Sequence, residues 1–127
     1  MKLKTPEVWL KIDFDEVDTR LVILSPVDFG FKYEMSRAAF LERVCDDPRF
    51  GLCPKGASDL IRVRYTTQRR GSLLRVAEGT HLSYTSFVLK VVCEGLPKQK
   101  ALKRVVVPYD FNTCDHLLAK WVFTLKG

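Results

Sequence analysis

Hydrophobic and polar positions divide the chain into short strand-like and helix-like stretches with no internal repeat. Val8-Trp-Leu-Lys-Ile-Asp-Phe alternates partway in the manner of a strand, because successive side chains of extended backbone point to opposite faces. A polar stretch, Asp15-Glu-Val-Asp, follows as a turn region. Arg20-Leu-Val-Ile-Leu is a second strand, stopped at Ser25-Pro26. Together these predict a hairpin with an acidic tip. Ser36 then reads as a helix N-cap, its hydroxyl accepting an otherwise orphaned backbone N–H. Phe40, Leu41 and Val44 follow at helical spacing, and Pro48 and Gly51 end that helix.

Beyond a Gly/Pro-containing loop, Leu60 to Arg70 alternates again. Ile61, Val63 and Tyr65 are apolar, whereas Arg62, Arg64, Thr66, Gln68 and Arg70 are polar or basic. As a strand, this segment packs one face on the core and presents a row of guanidinium groups on the other. Gly71 to Ser86 reads as a long connection. Phe87 to Cys93 is the next strand, with Lys90 on its polar side, and Glu94 to Lys100 is a basic turn. Lys103 to Val107 is a third strand. Pro108 to Thr113 reads as a turn and helix start. Leu117, Leu118, Trp121, Val122 and Leu125 predict a closing amphipathic helix with Lys120 and Lys126 toward its end.

These elements predict an α+β protein. Residues 35–127 form a two-layer α-β-β-β-α domain, with two helices on the apolar face of an antiparallel sheet and the basic face left open. Residues 1–34 form an N-terminal strand-rich, hairpin-like extension. A chain of 127 residues is one domain by length and long enough for a substantial core.

Charge sharpens this picture. The net charge of +6 is unevenly spread: residues 1–50 carry 8 Lys and Arg against 10 Asp and Glu, whereas residues 51–127 carry 13 against 5. A basic region of that kind attracts polyanions. No segment approaches the ~20 apolar residues that span a bilayer, and no leader with an apolar stretch is evident, so a cytoplasmic protein without a membrane partner is expected.

Catalytic and metal signatures are sparse. Cys45, Cys53, Cys93 and Cys114 form no C-x-x-C pair, and the only histidines are His81 and His116. Reduced, partly buried thiols are expected rather than a metal site, and no cofactor is implied. There is no P-loop, G-x-G-x-x-G or G-x-S-x-G sequence. His81-Leu-Ser83 matches half of the paired H-x-[ST] signature of two-histidine phosphoesterases; His116-Leu-Leu does not supply the other half. A non-catalytic protein is expected, with a small RNA-cleaving enzyme using His81 as a remote alternative.

The basic side chains form a stronger pattern. Arg62, Arg64, Arg69, Arg70 and Arg75 lie within fourteen residues, beside Tyr65, and Lys90, Lys98, Lys100, Lys103 and Arg104 lie in and around the later hairpin. Guanidinium groups bind phosphate bidentately and stack on bases, so these ten residues are candidate RNA contacts.

The order of motifs over residues 35–127 resembles the fourteen-kilodalton Alu-domain subunit of the signal recognition particle. Ser36-Arg-Ala-Ala-Phe-Leu-Glu-Arg-Val fits that family's opening helix, and Ile61 to Arg70 its alternating first strand. Gly71–Ser86 takes the place of its variable loop. Phe87-Val-Leu-Lys-Val-Val-Cys, Lys98-Gln-Lys and Arg104-Val-Val-Val fit the following strand, turn and strand, and Asp115 to Gly127 its closing helix. The resemblance implies a subunit that binds the Alu domain of signal recognition particle RNA, as a heterodimer with a nine-kilodalton partner of similar fold or as a homodimer. It further implies an indirect action on the ribosome that delays elongation during targeting to the endoplasmic reticulum. On that pattern, Arg62, Arg64, Arg69 and Arg70 lie on or beside the RNA surface, flanked by Lys98, Lys100, Lys103 and Arg104. Residues 1–34 have no counterpart in the family, and the basic tail found beyond its closing helix is not matched in the 127 residues. The alternatives are a protein-interaction module, in which Asp13, Asp15, Glu16 and Asp18 of one copy meet the basic sheet of another, and a viral RNA-binding protein.

Overall fold

The computed structural model describes residues 5–14, 17–65, 67–69, 71–80, 82–94, 101–108 and 114–126. The first two apolar stretches pair as an antiparallel hairpin, β1 (Leu10–Phe14) and β2 (Val17–Leu24), with Leu10 opposite Leu21 and Phe14 opposite Val17. The outer half of β2 also pairs, Leu21 to Leu24 lying antiparallel to residues Trp121–Thr124. The N-terminal strands therefore extend the main sheet and share its core.

A single 3-10 turn, Pro26–Phe29, leads into β3 (Met35–Ser36) and α1 (Arg37–Cys45). The Ser36 hydroxyl accepts the Ala39 N–H at 3.2 Å, as the sequence predicts, and Phe40, Leu41 and Val44 are buried. After β4 (Phe50–Gly51) the structure departs from the sequence pattern. Residues Ala57–Arg64 form a helix, α2, where a strand from Leu60 is expected. Ile61 and Tyr65 are four apart, so they satisfy both a strand and a helix period. Val63 decides between them: a strand would bury it with Ile61, but it is 59 % exposed while Ile61 is fully buried.

The expected long connection contains a strand, β5 (Leu73–Thr80), which turns tightly into β6 (Ser83–Glu94); β7 (Ala101–Pro108) returns alongside it. Gly79 permits that turn. Its φ is +120°, and a Cβ there would stand 2.5 Å from the Ser83 carbonyl oxygen. The short β8 (Cys114–Asp115) pairs with β3. In place of the expected closing helix the chain ends on a strand, β9 (Trp121–Leu125). The sheet takes the order β1-β2-β9-β5-β6-β7, with β4 also on β9; the β9–β5 pair is parallel.

The fold is α+β, but the helices do not share a face. Val22, Leu24, Ala77, Trp121 and Phe123 pack with Phe40, Leu41 and Val44 of α1. The alternate positions Leu21, Leu74, Val76, Leu89 and Val122 pack with Ala57 and Ile61 of α2. Adjacent strand residues thus feed opposite clusters, so α1 and α2 cover opposite faces of the sheet. β9 is central and buried on both sides, with Trp121, Val122 and Phe123 fully inaccessible. Burying each such side chain stabilises the fold by about 1.5–3 kcal/mol.

Candidate nucleic-acid interface

Strand register divides the basic candidates between the two faces. Arg75 lies opposite Val88, Leu73 opposite Lys90, Lys90 opposite Val105, and Val92 opposite Lys103. Positions two apart share a face, so Arg75, Lys90 and Lys103 stand together on the face of Ala77, beyond the part that α1 covers. Each is the diagonal neighbour of the next, and such neighbours lie about 7–8 Å apart. Lys103 is exposed; Lys90 and Arg75 are half-buried.

Arg62, Arg64 and Arg104 belong to the opposite face. The row of guanidinium groups expected on a strand is instead the last turn of α2, with Arg62 half-buried and Arg64 exposed. The Arg104 Nε–H donates to the Arg62 carbonyl oxygen at 3.1 Å, joining β7 to the helix end. Cations at a helix C-terminus complement its partial negative charge, which gives these three residues a role in holding α2. Arg69 is exposed in the loop after α2, where its carbonyl accepts the Ser72 N–H at 3.1 Å. Arg70, Lys98, Lys100 and His81 lie outside the described residues, as do residues 95–100 and 109–113 of the expected turns, Glu94 to Lys100 and Pro108 to Thr113.

Two residues that the sequence pattern does not group with the basic candidates stand beside Arg75. His116 and Lys120, assigned to a closing helix, lie in the turn before β9, and with Arg75 they line a cleft at the start of β5. The Leu118 N–H donates to His116 Nδ1 at 3.1 Å. The run of basic groups therefore continues from Lys103 through Lys90 and Arg75 to the chain's last turn.

The acidic residue of β5 is used elsewhere. Glu78 is buried and accepts the Gly56 N–H at 2.7 Å, the Ser58 N–H at 2.9 Å and the Ser58 hydroxyl. A carboxylate from the sheet thus caps the N-terminus of α2, where no local side chain does so. Beside it, burial pushes the Cys53 thiol far above its ordinary value, and the Glu78 charge adds to this. Cys45 is half-buried and raised for the same first reason. Among the described residues, no group of three His, Cys, Asp or Glu is placed to hold a metal ion, and no helix is long and apolar enough to cross a membrane.

Comparison of the chain with protein-family models, with curated proteins and with solved structures finds no match.

Proposed function

We propose that this chain is a non-catalytic, RNA-binding subunit of a ribonucleoprotein, and that it lays a folded RNA backbone across the β5–β7 face. The observation that carries the proposal is the diagonal of Arg75, Lys90 and Lys103, drawn from three adjacent strands onto one face. Arg62, Arg64 and Arg104 lie apart from this diagonal, at the end of α2. Phosphate neutralisation by such a row releases counterions, so affinity falls steeply with salt, and a sheet holds its side chains in a preformed arrangement that favours shape over sequence.

The specific form of this proposal is a cytoplasmic signal recognition particle Alu-domain subunit, paired with a nine-kilodalton partner or a second copy and acting indirectly on the ribosome. Its support is the run of motifs Ser36–Val44, Phe87–Cys93 and Arg104–Val107, the segments of the resemblance that occupy elements of the expected type. The segments Ile61–Arg70 and Asp115–Gly127 add nothing to it, because α2 and β9 stand where a strand and a helix are expected. The test is binding of an Alu-type folded RNA and an unrelated structured RNA across a salt series. Preferential binding of the first supports the specific form. Equal binding leaves general RNA affinity, and absence of binding to either overturns the reading.

One observation favours a second reading, a protein-interaction module. The sheet ends on β1 at one side, where Asp13 lies opposite Asp18, and on β7 at the other, where Lys103 and Arg104 lie. The Asp13–Asp18 end of the hairpin and the basic edge strand β7 suit head-to-tail pairing between copies. Sedimentation without RNA tests this: a concentration-dependent series of oligomers that dissolves in salt supports it, and a monomer at all concentrations contradicts it.

A further inference from the structure

Two hydrogen-bonded turns face each other across the start of β5. In the first, buried Gln68 donates through Nε2 to the Ser72 carbonyl at 3.2 Å and to the Leu89 carbonyl at 2.8 Å, tying the turn to β6. Gly71, at φ +85°, takes the left-handed conformation that the turn requires and has open space where a Cβ would stand. In the second, the Ala119 N–H donates to the His116 carbonyl at 3.0 Å, the Val27 N–H to the Leu117 carbonyl at 3.0 Å, and the Ser25 hydroxyl to the Leu118 carbonyl at 3.5 Å. Between them lies a cleft of about 360 Å³. Both walls are fixed by bonds to the body of the protein, so the cleft is preformed, which lowers the entropic cost of filling it.

The lining is one-sided in charge. Arg75, Lys120 and His116 face the cleft with the Ser72 segment, and no carboxylate is among the described residues lining it. His116 Nδ1 accepts the Leu118 N–H, so the neutral ring carries its proton on Nε2 and is a donor there. Leu73 and Leu118, 43 % and 65 % exposed, stand on the two walls as apolar surface. We infer that this cleft takes a phosphate monoester, which on the RNA reading above is the phosphorylated end of an RNA strand. Two positive charges match a dianionic monoester better than the single charge of an internal phosphodiester. The His116 imidazole adds a donor to its oxygens. Leu73 and Leu118 offer contact to the attached sugar and base.

The same phosphate chemistry could come from a free mononucleotide, and the experiment separates the sources. One RNA oligomer is prepared with a phosphate or a hydroxyl at its ends, and binding to the full chain is measured in parallel with adenosine monophosphate and inorganic phosphate. A phosphorylated end is expected to bind at least about tenfold tighter than a hydroxyl end. That preference should disappear in Arg75→Gln and in Lys120→Gln and persist in Lys11→Gln, on the far edge strand. Lys120 is exposed, so its variant serves should the Arg75 variant fail to fold. Saturable binding of the mononucleotide with no RNA binding would keep the phosphate site and overturn its RNA source. Equal affinity for both RNA ends, together with no binding of mononucleotide or phosphate, would overturn the site itself.

Discussion

Glu78 illustrates how one side chain can organise a neighbouring element. Its position in β5 reads as a charged residue in a connection, yet it is buried because α2 presents backbone N–H groups to it. Hydrogen bonds to a charged group are worth about 1.5–3 kcal/mol net. Glu78→Gln keeps the shape but gives up the charge, and should lower unfolding stability by about 2 kcal/mol in a urea titration. A different carboxylate contributes to behaviour in acid. The Arg49 guanidinium, 2.7 Å from Asp47, holds its carboxyl down at about 2. A carboxylate depressed in the folded state contributes its stability above the unfolded value, near ~3.9, and loses it as pH falls toward the folded one. Asp47→Asn should therefore abolish that part of the stability lost between pH ~4 and ~2, while leaving the slope above pH ~5 unchanged in urea titrations at each pH.

At the scale of elements, α1 was readable because its apolar positions fall on the helical period, with Ser36 marking its start. The β1–β2 hairpin, β6 and β7 were readable because their Val- and Ile-rich runs are short and bounded by turn residues. β9 was not, because both faces are covered. Trp121, Val122 and Phe123 form a continuous apolar run, which periodicity cannot tell from a helix. β5 was hidden by Arg75, which reads as a loop cation, and by Glu78, whose partners Gly56 and Ser58 lie on another element. α2 was misread because Ile61 and Tyr65 fit either period, and its cap comes from another strand. That distinction can be checked by substitution. Ile61→Ala should cost about 2–4 kcal/mol, whereas Val63→Glu, on the exposed side of α2, should stay within about 0.5 kcal/mol. Comparable losses at both positions in thermal or urea unfolding would restore the strand reading.

For the molecule as a whole, placing α1 and α2 on opposite faces changes what the basic residues can do together. On the expected sheet, with both helices on one face, Arg62, Arg64 and Lys90 would have shared the open face. Instead Arg62, Arg64 and Arg104 gather at the end of α2, and Arg75, Lys90 and Lys103 run across the other face toward His116 and Lys120. The candidate site was thus legible in its chemistry and not in its grouping, because grouping depends on strand register and on which segments are helical. The most direct measurement is equilibrium binding of a folded RNA to the wild-type chain and to two double variants, Lys90→Glu with Lys103→Glu and Arg62→Glu with Arg64→Glu, across a salt series. The account predicts that the first pair loses most of the affinity and lowers the salt slope by about two, since each lysine lost removes about one phosphate contact, while the second pair retains binding. Full affinity in the Lys90/Lys103 variant, with loss in the Arg62/Arg64 variant, would contradict it.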